Sequence, residues 1–236
     1  MRRWAPSRSA GCEPVAAGTS PARAAAVLRF VGAVLATSGL LLLADVGVTL
    51  VWQEPISALL AARSQDGLER QLSAESQRFS RVATRPRGRS EAARAAQEFA
   101  ARLRRGRAFG RIALPTLGQS YVVAEGTDAG TLRKGPGHYA DTGLPGLRRT
   151  VAIAGHRTTY LAPFADIDDL RPGEPIVLAM PYGRFTYRVE HTRIVDPTVV
   201  SVTRRGHERL VLTSCHPPLD AAQRIVVFAR LAGGDG

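Results

Sequence analysis

The stretch LVLTSCHPPLDAAQRIVVFARL, residues 210–231, reads as two β-strands joined by a short connection. Leu210-Val211-Leu212-Thr213-Ser214 is an apolar run that ends at Cys215, and His216-Pro217-Pro218 follows at once. Proline lacks the amide proton that a ladder needs, so regular pairing stops there. The second run, Arg224-Ile225-Val226-Val227-Phe228-Ala229, opens nine residues after the cysteine. A hairpin through residues 216–223 brings Arg224 back beside the Cys215 thiol. Strand ends are where reactive side chains are presented.

Outward from this hairpin, the chain from about Phe109 onward consists of short apolar runs separated by Gly and Pro, the texture of strands. Candidate strands are 111–114, 120–125, 150–154, 175–180, 184–194, 209–215 and 224–231. Seven or eight short strands without helix–strand alternation indicate an all-β domain, a closed antiparallel barrel or a sandwich, and not a nucleotide-binding α/β fold. His156 sits like Cys215: the apolar strand Val151-Ala152-Ile153-Ala154-Gly155 gives way to the polar loop His156-Arg157-Thr158-Thr159-Tyr160. The chain closes on Gly233-Gly234-Asp235-Gly236, with no C-terminal anchor expected.

The N-terminal part is built differently. Residues 30–52, FVGAVLATSGLLLLADVGVTLVW, carry one charge, Asp45, and are long enough to span a bilayer. Arg2, Arg3, Arg8, Arg23 and Arg29 precede them against Glu13 alone, a bias that holds the N-terminus in the cytoplasm and exports the rest. A cleaved signal peptide is the rival, but the apolar stretch exceeds a usual signal core. Residues 53–107, dominated by Ala, Arg, Ser, Gln and Glu, read as a stalk, helical over 90–100 with Ser90 as a candidate cap. The expected organisation is a basic cytoplasmic tail (1–29), a signal anchor (30–52), a stalk (53–107) and a β-domain (108–236).

The net charge of +12 invites a nucleic-acid reading, so its location matters. Residues 1–107 hold 17 basic and 8 acidic side chains, and residues 108–236 hold 15 and 12, so most of the excess lies outside the β-domain. Without a basic stripe or zinc-finger spacing, nucleic acid is not an expected partner. The acidic loop residues Asp166, Asp168 and Asp169 read as a solvated turn, and neither a metal nor another cofactor is expected.

The two cysteines, Cys12 and Cys215, fall on opposite sides of the span and cannot pair. A thiol of ordinary acidity is mostly protonated at neutral pH, so it acts as a nucleophile only beside a base or cation. His156 supplies either function and can protonate a departing amine. An Arg directed at a carbonyl oxygen stabilises the charge of a tetrahedral intermediate. Cys215, His156 and Arg224 together describe acyl transfer through a thioester. Taken singly each has a bland reading: a buried small hydrophobe, a solvated histidine, one arginine among many. His138, His191, His207 and His216 compete with His156.

The run 210–231, with TLRKGPGHYADTGLPG (131–146) and VAIAGHRTTYLAPFADIDDLRPGEPI (151–176), resembles the sortase family, and most closely the class E sortases of high-GC Gram-positive bacteria. The likeness covers roughly residues 110–232. It implies an eight-stranded sortase-type β-barrel with short helices, behind one transmembrane helix and a partly helical stalk. It implies Cys215 as nucleophile, His156 as acid/base and Arg224 as oxyanion stabiliser, with Thr213, Tyr160 and Tyr139 as substrate-binding candidates. The implied reaction cleaves a Leu-Pro-x-Thr-Gly-like signal, in class E a Leu-Ala-x-Thr-Gly type, between Thr and Gly. The acyl group then passes to an amine of a peptidoglycan precursor or cross-bridge, so secreted proteins with a C-terminal sorting signal are the implied partners. Two positions depart from the pattern: Arg148-Arg149-Thr150 stands where relatives commonly carry Gly-Asn, and Leu161 where Gly is expected. An exported thiol hydrolase and a non-catalytic, membrane-tethered binding barrel are the alternatives.

Overall fold

The computed structural model describes residues 21–52, 55–82, 88–197, 208–218 and 220–235. The chain forms two compact units, Met1–Leu50 and Val51–Gly236. Helix α1 (Pro21–Trp52), which starts in the first, contains the stretch Ala22–Val48, 27 residues, long and apolar enough to cross a membrane. At 1.5 Å per residue that stretch measures about 40 Å against a hydrocarbon core of about 30 Å. Phe30, Leu35 and the run Leu40–Leu43 are all exposed, so apolar side chains lie on every side of the helix. It starts nine residues before the expected span, with Pro21 in the first turn where a missing amide costs no hydrogen bond.

The second unit is built on eight strands: β1 (Ala108–Leu114), β2 (Gln119–Glu125), β3 (Gly137–His138), β4 (Val151–Ala154), β5 (Pro175–Met180), β6 (Gly183–Val195), β7 (Arg209–His216) and β8 (Gln223–Asp235). They close into a barrel in the order β1-β2-β3-β4-β7-β8-β6-β5, with β5 returning to β1. Pairing is antiparallel except between β2 and β3 and between β4 and β7. The barrel is therefore the expected eight-stranded one. Seven strands follow the apolar runs of the sequence; β3 is two residues of a Gly-Pro-Gly-His segment, too short to show a period.

Side chains alternate across each strand. Val151 and Ile153 of β4, Leu210 and Leu212 of β7, and Ile225, Val227 and Ala229 of β8 point into the main core with Phe109, Ile112, Leu178 and Tyr187. Ala152, Val211 and Val226 point the other way and form a small outer cluster on which Tyr139, Val195 and Phe228 pack. The same alternation puts Thr213, Cys215 and Arg224 on that outer face.

The expected solvated stalk is instead two helices packed against the barrel, α2 (Pro55–Val82) and α3 (Arg89–Arg102). Ala61, Leu68, Leu72 and Phe79 recur at helical spacing and are all buried. Leu68 and Leu72 cover Ala108, Val122 and Ala124, while Phe79, Ala96 and Phe99 join the main core beside Tyr182. Each such fully buried large side chain contributes about 1.5–3 kcal/mol. The N-cap of α3 is Gly88, not Ser90, which lies inside the helix.

Gln65 of α2 bonds the barrel wall directly. Its amide nitrogen donates to the carbonyls of Val122 (3.0 Å) and Lys134 (2.7 Å), and its oxygen accepts from the Val122 amide (2.8 Å). β3 meets β2 only at Ala124 and Glu125, so this side chain stands where a neighbouring peptide would pair with Val122. Glu69 forms an ion pair with Arg111, and Gln71 accepts from the Ala108 amide. Gln65→Leu leaves those backbone groups without partners and is expected to cost about 1–3 kcal/mol. Thermal unfolding should show it as a lower Tm, by roughly 2–4 °C per kcal/mol for a body of this size.

Candidate active site

The site is assembled by the two neighbours of β7. On one flank β8 runs antiparallel with Cys215 directly opposite Arg224, a pairing that puts both side chains on the outer face with Cβ atoms about 5 Å apart. On the other flank β4 runs parallel, in register from Val151↔Leu210 to Ala154↔Thr213. The contact continues beyond the strand: the Gly155 amide donates to the Thr213 carbonyl (3.0 Å), and Ser214 Oγ donates to the Gly155 carbonyl (2.8 Å). His156 follows the last pair by two residues on its strand's side, as Cys215 does on β7. Cys215 and Arg224 thus lie at the facing ends of β7 and β8, His156 lies in the loop just after β4, and all three are half-buried.

Gly155 is required here by space. A Cβ at this position would lie 2.5 Å from the ring of Phe164, which is fully buried and returns the loop to the barrel with its amide on the His156 carbonyl (3.1 Å). Between them Tyr160, Leu161 and Ala162 are all left-handed, with φ of 51°, 69° and 41°. Such a conformation costs a non-glycine residue about 1–2 kcal/mol. Arg148 is left-handed too, at 54°. The two positions departing from the sortase pattern therefore both carry side chains on backbone that favours Gly or Asn.

Burial disfavours the charged imidazole of His156, and the Arg133 cation adds to this, so its pKa lies below the ordinary histidine value. The Tyr160 ring lies 5.1 Å from the His156 ring. Among the described residues no side chain hydrogen-bonds this imidazole. Thr213 is buried and its hydroxyl meets that of Tyr139 at 3.1 Å, which joins these two expected residues at the outer face beside Cys215. Arg224 donates from one guanidinium nitrogen to the carbonyls of Ala221 (3.0 Å) and Gln223 (2.8 Å), which steadies it against its own hairpin.

The rival histidines occupy other places. His138 is buried, with Nδ1 2.7 Å from Glu125 Oε2, Nε2 3.0 Å from both the Gly143 carbonyl and Thr142 Oγ1, and its ring stacked on Phe109 at 4.0 Å. No nitrogen is left for chemistry. His191 stacks on Phe228 at 4.8 Å, and His207 lies outside the described residues, as does Cys12. His216 follows Cys215, with Nδ1 3.5 Å from an Arg157 nitrogen. Arg157, which the sequence does not single out, is buried and ion-paired at 2.7 Å with Asp168. Asp168 therefore holds a buried cation, and Asp166 accepts from Gln119 (3.2 Å), so two residues of the expected solvated turn have structural partners.

The Sortase domain family matches residues 112–232, just over half of the chain. The chain belongs to the sortase family. It is 34% identical to "Sortase D" of Bacillus subtilis (strain 168) over 130 residues, which are 53% of this chain and 64% of that protein. It is 29% identical to "Sortase SrtE1" of Streptomyces coelicolor over 143 residues, 53% of this chain and 41% of that one. The chain thus spans less than two thirds of the length of either relative. Among solved structures, sortase E1 of Streptomyces coelicolor with a tripeptide in its active site superposes with a TM-score of 0.53 at 28% identity, covering 55% of this chain and 91% of that one.

Relief of the left-handed strain is measurable. Arg148→Gly and Leu161→Gly are each expected to stabilise this sortase by about 1 kcal/mol, read as a higher urea midpoint with unchanged slope.

Proposed function

We propose that this sortase is a cysteine transpeptidase with Cys215 as nucleophile, His156 as general acid/base and Arg224 as oxyanion stabiliser. The observation that carries the reading is the double register of β7, which pairs Cys215 with Arg224 on one flank and on the other runs in step with the strand that leads into His156. A neutral His156, favoured by its lowered pKa, takes the thiol proton as the sulfur attacks the carbonyl carbon of a peptide. The oxygen of the tetrahedral intermediate accepts from the Arg224 guanidinium, which keeps its proton throughout. Collapse breaks the C–N bond, and imidazolium returns the proton to the leaving amine, giving an acyl thioester on Cys215. An acceptor amine then attacks the thioester, passes a proton through His156 and releases the thiol.

The substrate class we propose is a secreted protein with a C-terminal Leu-Pro-x-Thr-Gly-like signal, with Ala at the second position as the class E variant, cut between Thr and Gly. The paired hydroxyls of Tyr139 and Thr213, and the ring of Tyr160 beside His156, support these three as the residues that receive the peptide. The acceptor is an amine of a peptidoglycan precursor or cross-bridge, so the product is an anchored surface protein. The proposed setting is the cell membrane: residues 1–29 as a cytoplasmic tail, 30–52 as a single-pass anchor, residues 53–107 joining it to the catalytic domain, and that domain, 108–236, outside the cell. No cofactor takes part in these steps.

Mass spectrometry of the full chain incubated with a Leu-Ala-x-Thr-Gly peptide tests the reading. An acyl adduct on Cys215 and, with a wall-derived amine, a ligated product are expected; release of free acid alone points to a hydrolase, and no adduct to a binding barrel. Cys215→Ala should lower turnover by about 1,000-fold or more. The pH dependence follows from His156. Its lowered pKa keeps the base form down to more acid pH, so the acid limb of kcat/KM should reach half-height below the usual imidazole value of about 6.5. An acid limb centred above that value contradicts the assignment.

A further inference from the structure

We propose that Arg157 is a positioning residue for His156, its buried guanidinium pinning the turn after β4 so that the imidazole is held toward Cys215. This rests on the reading of His156 as the acid/base partner. An activating base is ordinarily oriented by a third group that hydrogen-bonds its other nitrogen. Here no described side chain hydrogen-bonds the His156 ring, and the neighbouring Tyr160 ring lies 5.1 Å away. The direction of the ring must then come from its backbone and packing.

Arg157 supplies that hold. It is 5% exposed, directly after a His156 that is half-buried. Its Nε donates to the Ala165 carbonyl (3.1 Å), one terminal nitrogen pairs with Asp168 Oδ1 (2.7 Å), and the other lies 3.5 Å from His216 Nδ1. Ala165 and Asp168 belong to the returning limb of the loop that begins at His156, and His216 is the residue after Cys215. One side chain therefore joins the position next to the base to the position next to the nucleophile. The planar fork of arginine makes these three contacts in different directions at once, which an ammonium on a flexible stem does not. The hold has strain to oppose, since Tyr160, Leu161 and Ala162 of the same loop are left-handed.

A buried ion pair is by itself weak evidence for stability, so the test must separate positioning from folding. The full chain in detergent is compared as wild type, Arg157→Gln, Arg157→Lys, His156→Ala and the His156→Ala/Arg157→Gln double variant. The readouts are kcat and KM on the sorting peptide, the rate of Cys215 alkylation by iodoacetamide across pH, and thermal unfolding. At a temperature where every variant is folded, Arg157→Gln is expected to lower kcat by about 10- to 100-fold with KM within about twofold, the scale of an angstrom-level misplacement. Arg157→Lys should recover only part of the loss. In the His156→Ala background, Arg157→Gln should leave the alkylation profile unchanged, because Arg157 acts through the imidazole.

Full turnover in His156→Ala overturns the acid/base reading and this inference with it. Loss of turnover in His156→Ala with wild-type kcat in a folded Arg157→Gln overturns the inference alone. An Arg157→Gln effect on alkylation that persists undiminished without His156 also overturns it, and marks Arg157 as general support. If Arg157→Gln does not fold, the comparison passes to Arg157→Lys, where wild-type kcat is the contrary result.

Discussion

The hydrogen-bond ladders on the two flanks of β7 set the separations on which the candidate site depends. Parallel pairing with β4 and antiparallel pairing with β8 leave the strand no freedom to slide, because a slip of one residue would turn Leu210 and Leu212 out of the core and Val211 into it. The register of the core therefore also fixes that of the chemistry. Cys215 faces outward because Leu212 faces inward, and Arg224 is opposite it because Ile225 and Val227 are buried. Packing inside the barrel and reactivity on its outer wall are two faces of one pattern.

This is why the β7–β8 hairpin, with Cys215 facing Arg224, was legible in the sequence. Apolar runs, a Pro-rich break and an Arg at the return carry period and boundary together. Other parts lacked such signals. β3 is two residues long and paired through a Gly-Pro-Gly-His segment, so no alternation exists to be read. The helices α2 and α3 looked like a solvated spacer because their buried stripe is sparse, with Ala61, Leu68, Leu72 and Phe79 set among Arg, Gln, Ser and Glu. Among the histidines, sequence ranks candidates by loop position but does not report burial. Only the contacts of His138 with Glu125, Gly143 and Phe109 show that its ring is committed elsewhere. The pairing of Arg157 with Asp168 was missed for a related reason, since a charged pair on a loop looks the same in one dimension whether it faces solvent or a barrel end.

The positions that depart from the sortase pattern are informative in physical terms. Arg148 and Leu161 adopt the left-handed backbone that Gly or Asn would take without strain, so each loop has a shape that its own residue does not favour. The turn after β4 is over-determined by other contacts: Gly155 under the Phe164 ring, the Phe164 amide on His156, and the Ser214 hydroxyl on Gly155. Strain of this kind persists only where surrounding structure enforces it. The loop beside the candidate base is thus held in shape by its neighbours, against local preference.

The amide of Gln65 has a bearing on where this protein begins as a folding unit. The family match starts at residue 112, inside β1, yet one stave of the cylinder wall is completed by a side chain some fifty residues upstream. A cut placed by similarity would take away half of β1, open a seam beside Val122 and bare Ala124 to water. The packed body is larger than the stretch that matches the family, and its first component is the helix that follows the apolar segment.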